Sequence, residues 1–149
     1  MFYVDTSVLA LPLLNQEGGD AVERFLIEEI SESELVSSVL LEVELIRVAK
    51  RSITPSDTAQ SARTLLDEIH LIDIDREVVG NACGLTDSLK SFDAIHLGTA
   101  LMLHCERDPV VMLTHDDQLA ATARRLGVCL LYTSPSPRDL STSRMPSSA

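Results

Sequence analysis

The chain has 149 residues, of which 23 are acidic and 12 are Lys or Arg, giving a net charge of −11. This length corresponds to one domain with a sizeable core, and 45% hydrophobic with 23% charged residues exclude wholesale disorder. The acidic balance argues against a module that binds nucleic acid by neutralising phosphates. The excess of acidic residues does not exclude an enzyme that binds phosphate through a metal ion.

The cysteines and the N-terminus favour a cytoplasmic protein. The chain contains three cysteines, an odd number, and they lack a CxxC spacing: Cys83, Cys105 and Cys129. We therefore expect neither a disulfide framework nor a zinc site, and we predict a reducing compartment. No basic segment followed by an apolar one opens the chain, so no signal peptide is predicted. No uncharged apolar run approaches the length of a membrane span.

The composition changes at residue 133, so we predict one domain at residues 1–132 and a disordered tail at residues 133–149. Eleven of the last 17 residues are Ser, Thr or Pro, and the segment has no apolar periodicity. The run Tyr-Thr-Ser-Pro-Ser-Pro-Arg-Asp resembles vector- or adapter-derived read-through more than native protein. The alternative is a genuine flexible tail.

In the first half of the domain, short apolar runs alternate with amphipathic stretches. In chain order the pattern predicts a strand at residues 2–4, helices at 7–14 and 20–30, a strand at 35–37, and helices at 39–51 and 55 to about 68. Gly18 and Gly19 form a break between the first two helices. Ser38 and Thr54 are the expected N-caps of the last two, and Pro55 fits a first helical turn.

The second half continues the alternation. The pattern predicts a strand at 71–74, helices from 76 to about 83 and from 91 or 92 to 105, a strand at 110–113, a helix at 116–126 and a strand at 128–131. Gly127 is the expected C-cap residue of the last helix. Strands that alternate with helices indicate a parallel sheet covered on both faces, and sites in such sheets form beyond the carboxyl ends of the strands.

Acidic residues stand where such a site would form. Asp5 directly follows the first predicted strand, Asp116 follows the fourth after two residues, and both would converge at one edge of the sheet. The alternative for either residue alone is a helix N-cap. Asp93 lies in the first turn of an apolar helix, where a carboxylate either pairs with the helix dipole or needs a cation. His96, one turn later, is predicted to be packed or hydrogen-bonded rather than a ligand.

The helix at 39–51 offers two further carboxylates, Glu42 and Glu44. Periodicity does not choose between them, because both helix faces are largely apolar. A cluster of four carboxylates supplies hard oxygen ligands, which suit Mg²⁺ or Mn²⁺. One or two such ions can position water and neutralise a phosphodiester oxygen.

Four motifs in order resemble PIN-domain ribonucleases of the VapC toxin type. They are Tyr-Val-Asp-Thr-Ser at residues 3–7, Ser-x5-Glu-Leu-x-Arg at 38–47, Asp-Ala-Ile-His-Leu-x-Thr-Ala at 93–100 and Thr-x-Asp-x-x-Leu at 114–119. The resemblance implies a three-layer PIN-like fold with a five-stranded parallel sheet, order 3-2-1-4-5, flanked by helices. It also implies an endoribonuclease that acts on tRNA or rRNA and is the toxin of a toxin–antitoxin pair, with a small cognate antitoxin as partner.

The resemblance also assigns residues. It implies catalytic roles for Asp5, Glu44, Asp93 and Asp116, with Asp5 and Asp93 as the principal Mg²⁺ or Mn²⁺ ligands, and it selects Glu44 over Glu42. Supporting polar roles fall to Thr6, Ser7 and Thr114. The chain departs from the family pattern at Asp117, where a basic residue is often found, and at Gly98, which replaces a usual alanine and is interpreted as a packing detail. The extra charge of Asp117 could weaken RNA approach or add an outer-shell ligand.

The sequence also contains candidate contacts with partners. Arg47, Lys50 and Arg51 form the densest basic patch and could contact RNA, although a solvated helix face is the alternative. The apolar helices at 20–30 and 39–49 predict a surface covered by an antitoxin helix or by a second copy in a homodimer. Other functions consistent with the chain are a catalytically silent PIN-like RNA- or protein-binding module and a Mg²⁺-dependent phosphotransfer or phosphatase domain.

Overall fold

A computed structural model describes residues 1–30, 33–86 and 88–132, so the predicted tail at 133–149 lies outside the described residues. The strands are β1 (Phe2–Val4), β2 (Leu35–Ser38), β3 (His70–Ile72), β4 (Val111–Thr114) and β5 (Cys129–Tyr132). The helices are α1 (Thr6–Leu13), α2 (Gly19–Ile30), α3 (Leu40–Ala49), α4 (Pro55–Leu66), α5 (Arg76–Cys83), α6 (Ser91–Leu103) and α7 (Asp117–Arg125). In the part of the chain that the structure describes, no helix is both long and apolar enough to cross a membrane.

All the strand pairs of the sheet are parallel. Four strands lie in the predicted order β3-β2-β1-β4, and β5 pairs with β4 at the edge. The prediction of a parallel α/β fold is therefore confirmed. β1 is central: Phe2 lies opposite Leu35 of β2 and opposite Val111 of β4.

Two apolar clusters lie on opposite faces of the sheet. Val4 of β1 belongs to a cluster that also contains residues of α1 to α4. Tyr3, its neighbour, belongs to a second cluster built with α6 and α7. Successive side chains of a strand point to opposite faces, so this division produces the expected helix–sheet–helix layers.

Most predicted elements are correct to within two residues, and the differences have local causes. β3 begins at His70 and ends at Ile72, so the strand predicted to continue to Ile74 is wrong at its end. Its ladder with β2 reaches only the Ser38–Ile72 pair, at which β2 also ends. Likewise α3 ends at Ala49, not at Arg51.

The predicted N-caps of the third and fourth helices are only partly correct. Val39 occupies the N-cap position of α3, while the Ser38 hydroxyl accepts a hydrogen bond from the Leu40 amide at 3.1 Å. Thr54 does occupy the N-cap position of α4, with Pro55 following, but its side chain makes no capping hydrogen bond. Pro55 fits because a first-turn amide has no partner within the helix.

Gly98 allows close packing of α5 against α6. A Cβ atom at this position would lie 3.0 Å from both the carbonyl oxygen of Val78 and the amide nitrogen of Ala82. Asn81 bridges the same contact, since its Nδ2 donates to the Gly98 carbonyl oxygen at 3.2 Å. The departure at Gly98 is thus explained by helix packing, as predicted.

Candidate active site

The carboxyl ends of the central strands gather the predicted acidic residues. Asp5 follows β1 and Asp116 follows β4, while Glu44 comes from α3 and Asp93 from the first turn of α6. Glu44, Asp93 and Asp116 line one cavity of about 420 Å³. Asp5 is not among the residues that line it.

Asp5 is a buried carboxylate fixed by hydroxyl groups. It is 3% exposed, and its Oδ2 accepts hydrogen bonds from Ser7 Oγ at 2.7 Å and Thr114 Oγ1 at 3.1 Å. It occupies the N-cap position of α1 but makes no capping hydrogen bond. The N-cap alternative is therefore correct for the position of Asp5 but not for its carboxylate, which faces side chains instead of helix amides.

Asp116 is a helix cap that also borders the cavity. Its Oδ1 accepts from the Leu119 amide at 2.9 Å, so the N-cap interpretation is correct here. Its own amide donates to Thr114 Oγ1 at 3.0 Å. The Thr114 hydroxyl thus contacts both strand-end acids, accepting from the backbone of one and donating to the carboxylate of the other.

Glu44 and Glu42 are distinguished by their surroundings. Glu44 Oε1 accepts a hydrogen bond from Thr6 Oγ1 at 2.8 Å and lies within hydrogen-bond distance of His96 Nε2, at 2.6 Å, and the Glu44 side chain is 20% exposed. Glu42 is exposed. The structure therefore brings Glu44, not Glu42, to the other three acids.

His96 lies behind this group, fully buried. Its Nδ1 is 2.8 Å from the hydroxyl of Tyr3, and its Nε2 lies 3.9 Å from Asp5 Oδ1. Burial disfavours the charged imidazolium, but the hydrogen bond to Glu44 and the negative charges of Asp5, Glu44 and Asp93 raise the pKa of His96 above its usual value. His96 is hydrogen-bonded, as predicted.

The charges of the four carboxylates interact. Burial raises the pKa of Asp93 to about 6, and the negative charges of Asp5, Asp116 and Glu44 contribute to the same shift. Accumulated negative charge of this kind is relieved by protonation or by a bound cation.

The donor set fits a hard cation in its chemistry. Carboxylate oxygens are the ligands that Mg²⁺ and Mn²⁺ prefer, and Asp93, with its raised pKa, faces the other three acids. Across residues 1–30, 33–86 and 88–132, no three His, Cys, Asp or Glu side chains stand close enough to hold an ion as placed. An ion at this position would have to draw the carboxylates closer together.

The cavity contains residues that the motifs did not predict, namely Lys90, Ser91 and Phe92. Lys90 is an exposed cation beside the acids, and Phe92 is 53% exposed although it is a large apolar side chain. They could have been anticipated from position alone, because they directly precede Asp93 in the first turn of a helix.

The other charged residues considered lie elsewhere. Arg47, Lys50 and Arg51 are exposed and are absent from the described lining of the cavity. Asp117 is exposed in the first turn of α7 and is likewise absent from that lining. A negative charge there is favourable to the helix dipole.

Comparisons with known proteins agree with one another. Residues 2–125 match the family model described as PIN domain. Ribonuclease VapC47 of Mycobacterium tuberculosis (strain CDC 1551 / Oshkosh) is 32% identical over 129 residues, which cover 85% of this chain and 93% of that protein. Ribonuclease VapC35 of the same strain is 28% identical over 132 residues, covering 88% and 96%.

Solved structures share the fold at low identity. A chain of the promoter-DNA-bound VapBC2 complex from Rickettsia felis superposes with a TM-score of 0.66 at 14% identity, covering 89% of this chain and 98% of that chain. A chain of FitAcB from Neisseria gonorrhoeae gives a TM-score of 0.64 at 16% identity, covering 87% and 96%.

Proposed function

The chain belongs to the PIN-domain family, and from this premise we propose that it is a metal-dependent endoribonuclease and the toxin of a toxin–antitoxin pair. Relatives that align over most of its length are named ribonucleases. The observation that carries the proposal is the convergence of four carboxylates, Asp5, Glu44, Asp93 and Asp116, from four separate elements at one edge of the sheet. A cytoplasmic location is part of the same proposal.

Asp5 and Asp93 are the proposed principal ligands of Mg²⁺ or Mn²⁺, with Glu44 and Asp116 completing the set. When bound, such an ion supplies a Lewis acid that activates water and neutralises charge on a phosphodiester oxygen. Asp5 is oriented by two hydroxyl donors. The Asp116 Oδ1 atom is engaged in capping α7, so its other carboxylate oxygen is the one available to the cavity.

Lys90 and Phe92 are proposed to face the RNA. A lysine at the rim of an acidic cavity offsets the repulsion that a phosphate would otherwise meet. An exposed phenyl ring offers a face on which a nucleobase stacks, an interaction worth about 1–3 kcal/mol. Arg47, Lys50 and Arg51 remain proposed contacts for more distant phosphates.

The antitoxin is proposed to cover the apolar surface of α2 and α3. Structures that share the fold include VapBC and toxin–antitoxin complexes. On this chain Ile27 of α2 is 67% exposed and Val43 of α3 is 53% exposed, whereas Phe25 and Ile46 pack partly against the core. Ile27 and Val43 are therefore the anchors that an amphipathic helix or a second copy would bury.

Cleavage of RNA by the purified chain tests the catalytic proposal. A mixture of tRNA and rRNA is incubated with Mg²⁺ or Mn²⁺ and the new ends are mapped. We expect discrete cuts that stop in EDTA, return with excess Mn²⁺ and are absent in Asp93→Asn. Glu42→Gln is the matched control, because it removes an exposed carboxylate and should cut normally. Cutting that survives EDTA, or that Asp93→Asn retains, contradicts the proposal.

Co-expression tests the toxin–antitoxin part separately. Induction of the chain should arrest growth, and co-expression of the small reading frame immediately upstream of its gene should restore growth. Ile27→Ser with Val43→Ser should weaken co-purification of that product while leaving RNA cleavage intact. Rescue and co-purification that are equal for wild type and double variant would contradict the proposed surface.

A further inference from the structure

We propose that Tyr3 and His96 form a buried positioning pair that holds the Glu44 carboxylate in one orientation, with His96 Nε2 as the protonated, donating nitrogen. The inference rests on the proposed function and adds two residues that neither bind metal nor touch RNA in it. Both side chains are fully buried, so neither can act directly on a substrate in the cavity.

The first step concerns the two oxygens of Glu44. Oε1 is the acceptor for both Thr6 Oγ1 and His96 Nε2. An ionised carboxylate can only accept, so at a distance of 2.6 Å the Nε2 atom must carry the proton. Among the residues that the structure describes, no hydrogen bond reaches Oε2, which leaves that oxygen for the ligand or water in the cavity lined by Glu44.

The second step concerns what fixes the imidazole ring. The Tyr3 hydroxyl lies 2.8 Å from His96 Nδ1, and it accepts from the Ser38 amide at 3.1 Å. The two rings also meet edge to face, with centroids 5.8 Å apart. The chain of contacts therefore runs from the backbone at the end of β2, through Tyr3 of β1 and His96 of α6, to Glu44 of α3.

The third step is the consequence for the site. Glu44 has three side-chain torsions and is only partly buried, so an unbound carboxylate would populate several rotamers. Two donors that bond to the same oxygen select one of these Glu44 rotamers. Outer-shell partners of this kind typically change metal affinity or activity by roughly tenfold to a hundredfold when they are removed.

The protonation state of His96 can be measured without activity. Long-range ¹H–¹⁵N correlation spectra of the metal-free, full-length protein at neutral pH report each ring nitrogen, with His96→Gln providing the assignment. We expect a protonated, hydrogen-bonded Nε2. An unprotonated Nε2 overturns the proposal, whether or not the protein cleaves RNA.

Variants then test whether the pair acts through Glu44. Tyr3→Phe keeps the ring but removes the hydroxyl, and we expect the Mn²⁺ dissociation constant to rise roughly tenfold to a hundredfold and kcat to fall, with KM for RNA unchanged. In a Glu44→Gln background the same change should not weaken Mn²⁺ binding further. Thr122→Val is the matched control, since it deletes a buried hydroxyl that bonds within α7 and should affect only thermal stability.

Two results would overturn the inference even if RNA cleavage is established. One is a Tyr3→Phe protein with a lowered Tm but wild-type Mn²⁺ affinity and kcat, which would make the pair merely structural. The other is an equal loss of Mn²⁺ affinity in the presence and absence of the Glu44 carboxylate.

If Tyr3→Phe does not fold, His96→Gln against His96→Leu gives the same comparison, because only Gln retains a donor and should preserve more of the affinity. A wild-type protein that neither binds Mn²⁺ nor cuts RNA defeats the proposed function instead, and leaves the Nε2 measurement standing.

Discussion

The four carboxylates of the site divide into two pairs that are held in different ways. The bonded pair, Asp5 and Glu44, accepts hydrogen bonds from side chains of other elements. The helix-terminal pair, Asp93 and Asp116, lies at the beginning of α6 and α7 and borders the cavity. The difference is sharpest between Asp5 and Asp116, which both occupy a strand–Asp–helix junction.

The comparison shows that an identical local pattern can serve two purposes. At Asp116 the helix amide of Leu119 donates a hydrogen bond to one carboxylate oxygen. At Asp5 the hydroxyls of Ser7 and Thr114 donate hydrogen bonds to the carboxylate, and the carboxylate makes no capping hydrogen bond. The second hydroxyl comes from a strand more than a hundred residues away, so tertiary contacts decide the role. We expect removal of the charge to impair cleavage in both pairs, and substitutions in the helix-terminal pair to change stability as well.

The largest effect is expected for Asp5→Asn. Loss of a proposed metal ligand should reduce Mn²⁺-dependent cleavage by more than the roughly hundredfold upper range for outer-shell partners. Asp75→Asn is the matched control, because Asp75 is an N-cap acid of α5 that is not among the described residues lining the cavity, and Asn caps helices equally well. Single-turnover cleavage rates measure both. Comparable cleavage rates for Asp5→Asn and Asp75→Asn would show that Asp5 has no greater role in cleavage than an ordinary helix-capping acid.

Glu44→Gln should follow, with loss of most cleavage and an intact fold. Its amide can still accept from Thr6 and His96 through the carbonyl oxygen, but it carries no charge for a cation. Glu42→Gln removes an exposed carboxylate from the same helix and should retain activity. Cleavage rates, with circular dichroism as the folding check, decide the ranking, and the reverse order would mean that the wrong face of α3 has been assigned to the site.

Asp116 allows its two roles to be separated. Asp116→Asn preserves the cap and removes the charge, whereas Asp116→Ala removes both. We expect both variants to lose cleavage, but only the Ala variant to lose about 1 kcal/mol of stability in denaturant unfolding. If Asp116→Asn cleaves like wild type, Asp116 is a cap and nothing more.

The smallest effect concerns Asp93 and pH. Its folded pKa is raised to about 6, so protonation favours the folded state, and ionised Asp93 opposes folding as the pH rises through 6. The stability of Asp93→Asn relative to wild type, both in EDTA, should therefore increase between pH 4 and pH 7. We expect about 1 kcal/mol, because solvent screens a half-buried charge. If the difference in unfolding free energy between the two proteins in urea does not change with pH, the pKa of Asp93 is not raised by burial and by the neighbouring carboxylates.

The sequence predicted the architecture well because its cues are local. Apolar periodicity locates β1 and the beginning of α5 to the residue, and the acids at Asp5 and Asp116 follow from strand ends. Periodicity could not separate Glu44 from Glu42, because a helix packed on two sides has no single polar face. The motif offset selected Glu44, and the contacts with Thr6 and His96 now give the physical difference.

Other parts of the site depended on contacts between distant segments. The end of β3 was predicted two residues too late because its length is set by the ladder with β2. The position of Lys90 before Asp93 places it near the beginning of α6, but only the folded chain brings it beside Asp116. The connection of Tyr3 to His96 spans 93 residues, and no local signal in a strand residue indicates it.

The central position of β1 has a consequence for the order of events during folding. Its partners β2 and β4 lie about 33 and 109 residues further along the chain, as the pairs Phe2–Leu35 and Phe2–Val111 show. Contacts of such separation form late, because the intervening chain must first be brought together. The Thr114 hydroxyl that fixes Asp5 is synthesised 109 residues after Asp5, because translation proceeds from the N-terminus. A growing chain therefore carries Asp5 without its site until β4 has been made, and the four carboxylates come together only after Asp116 has followed.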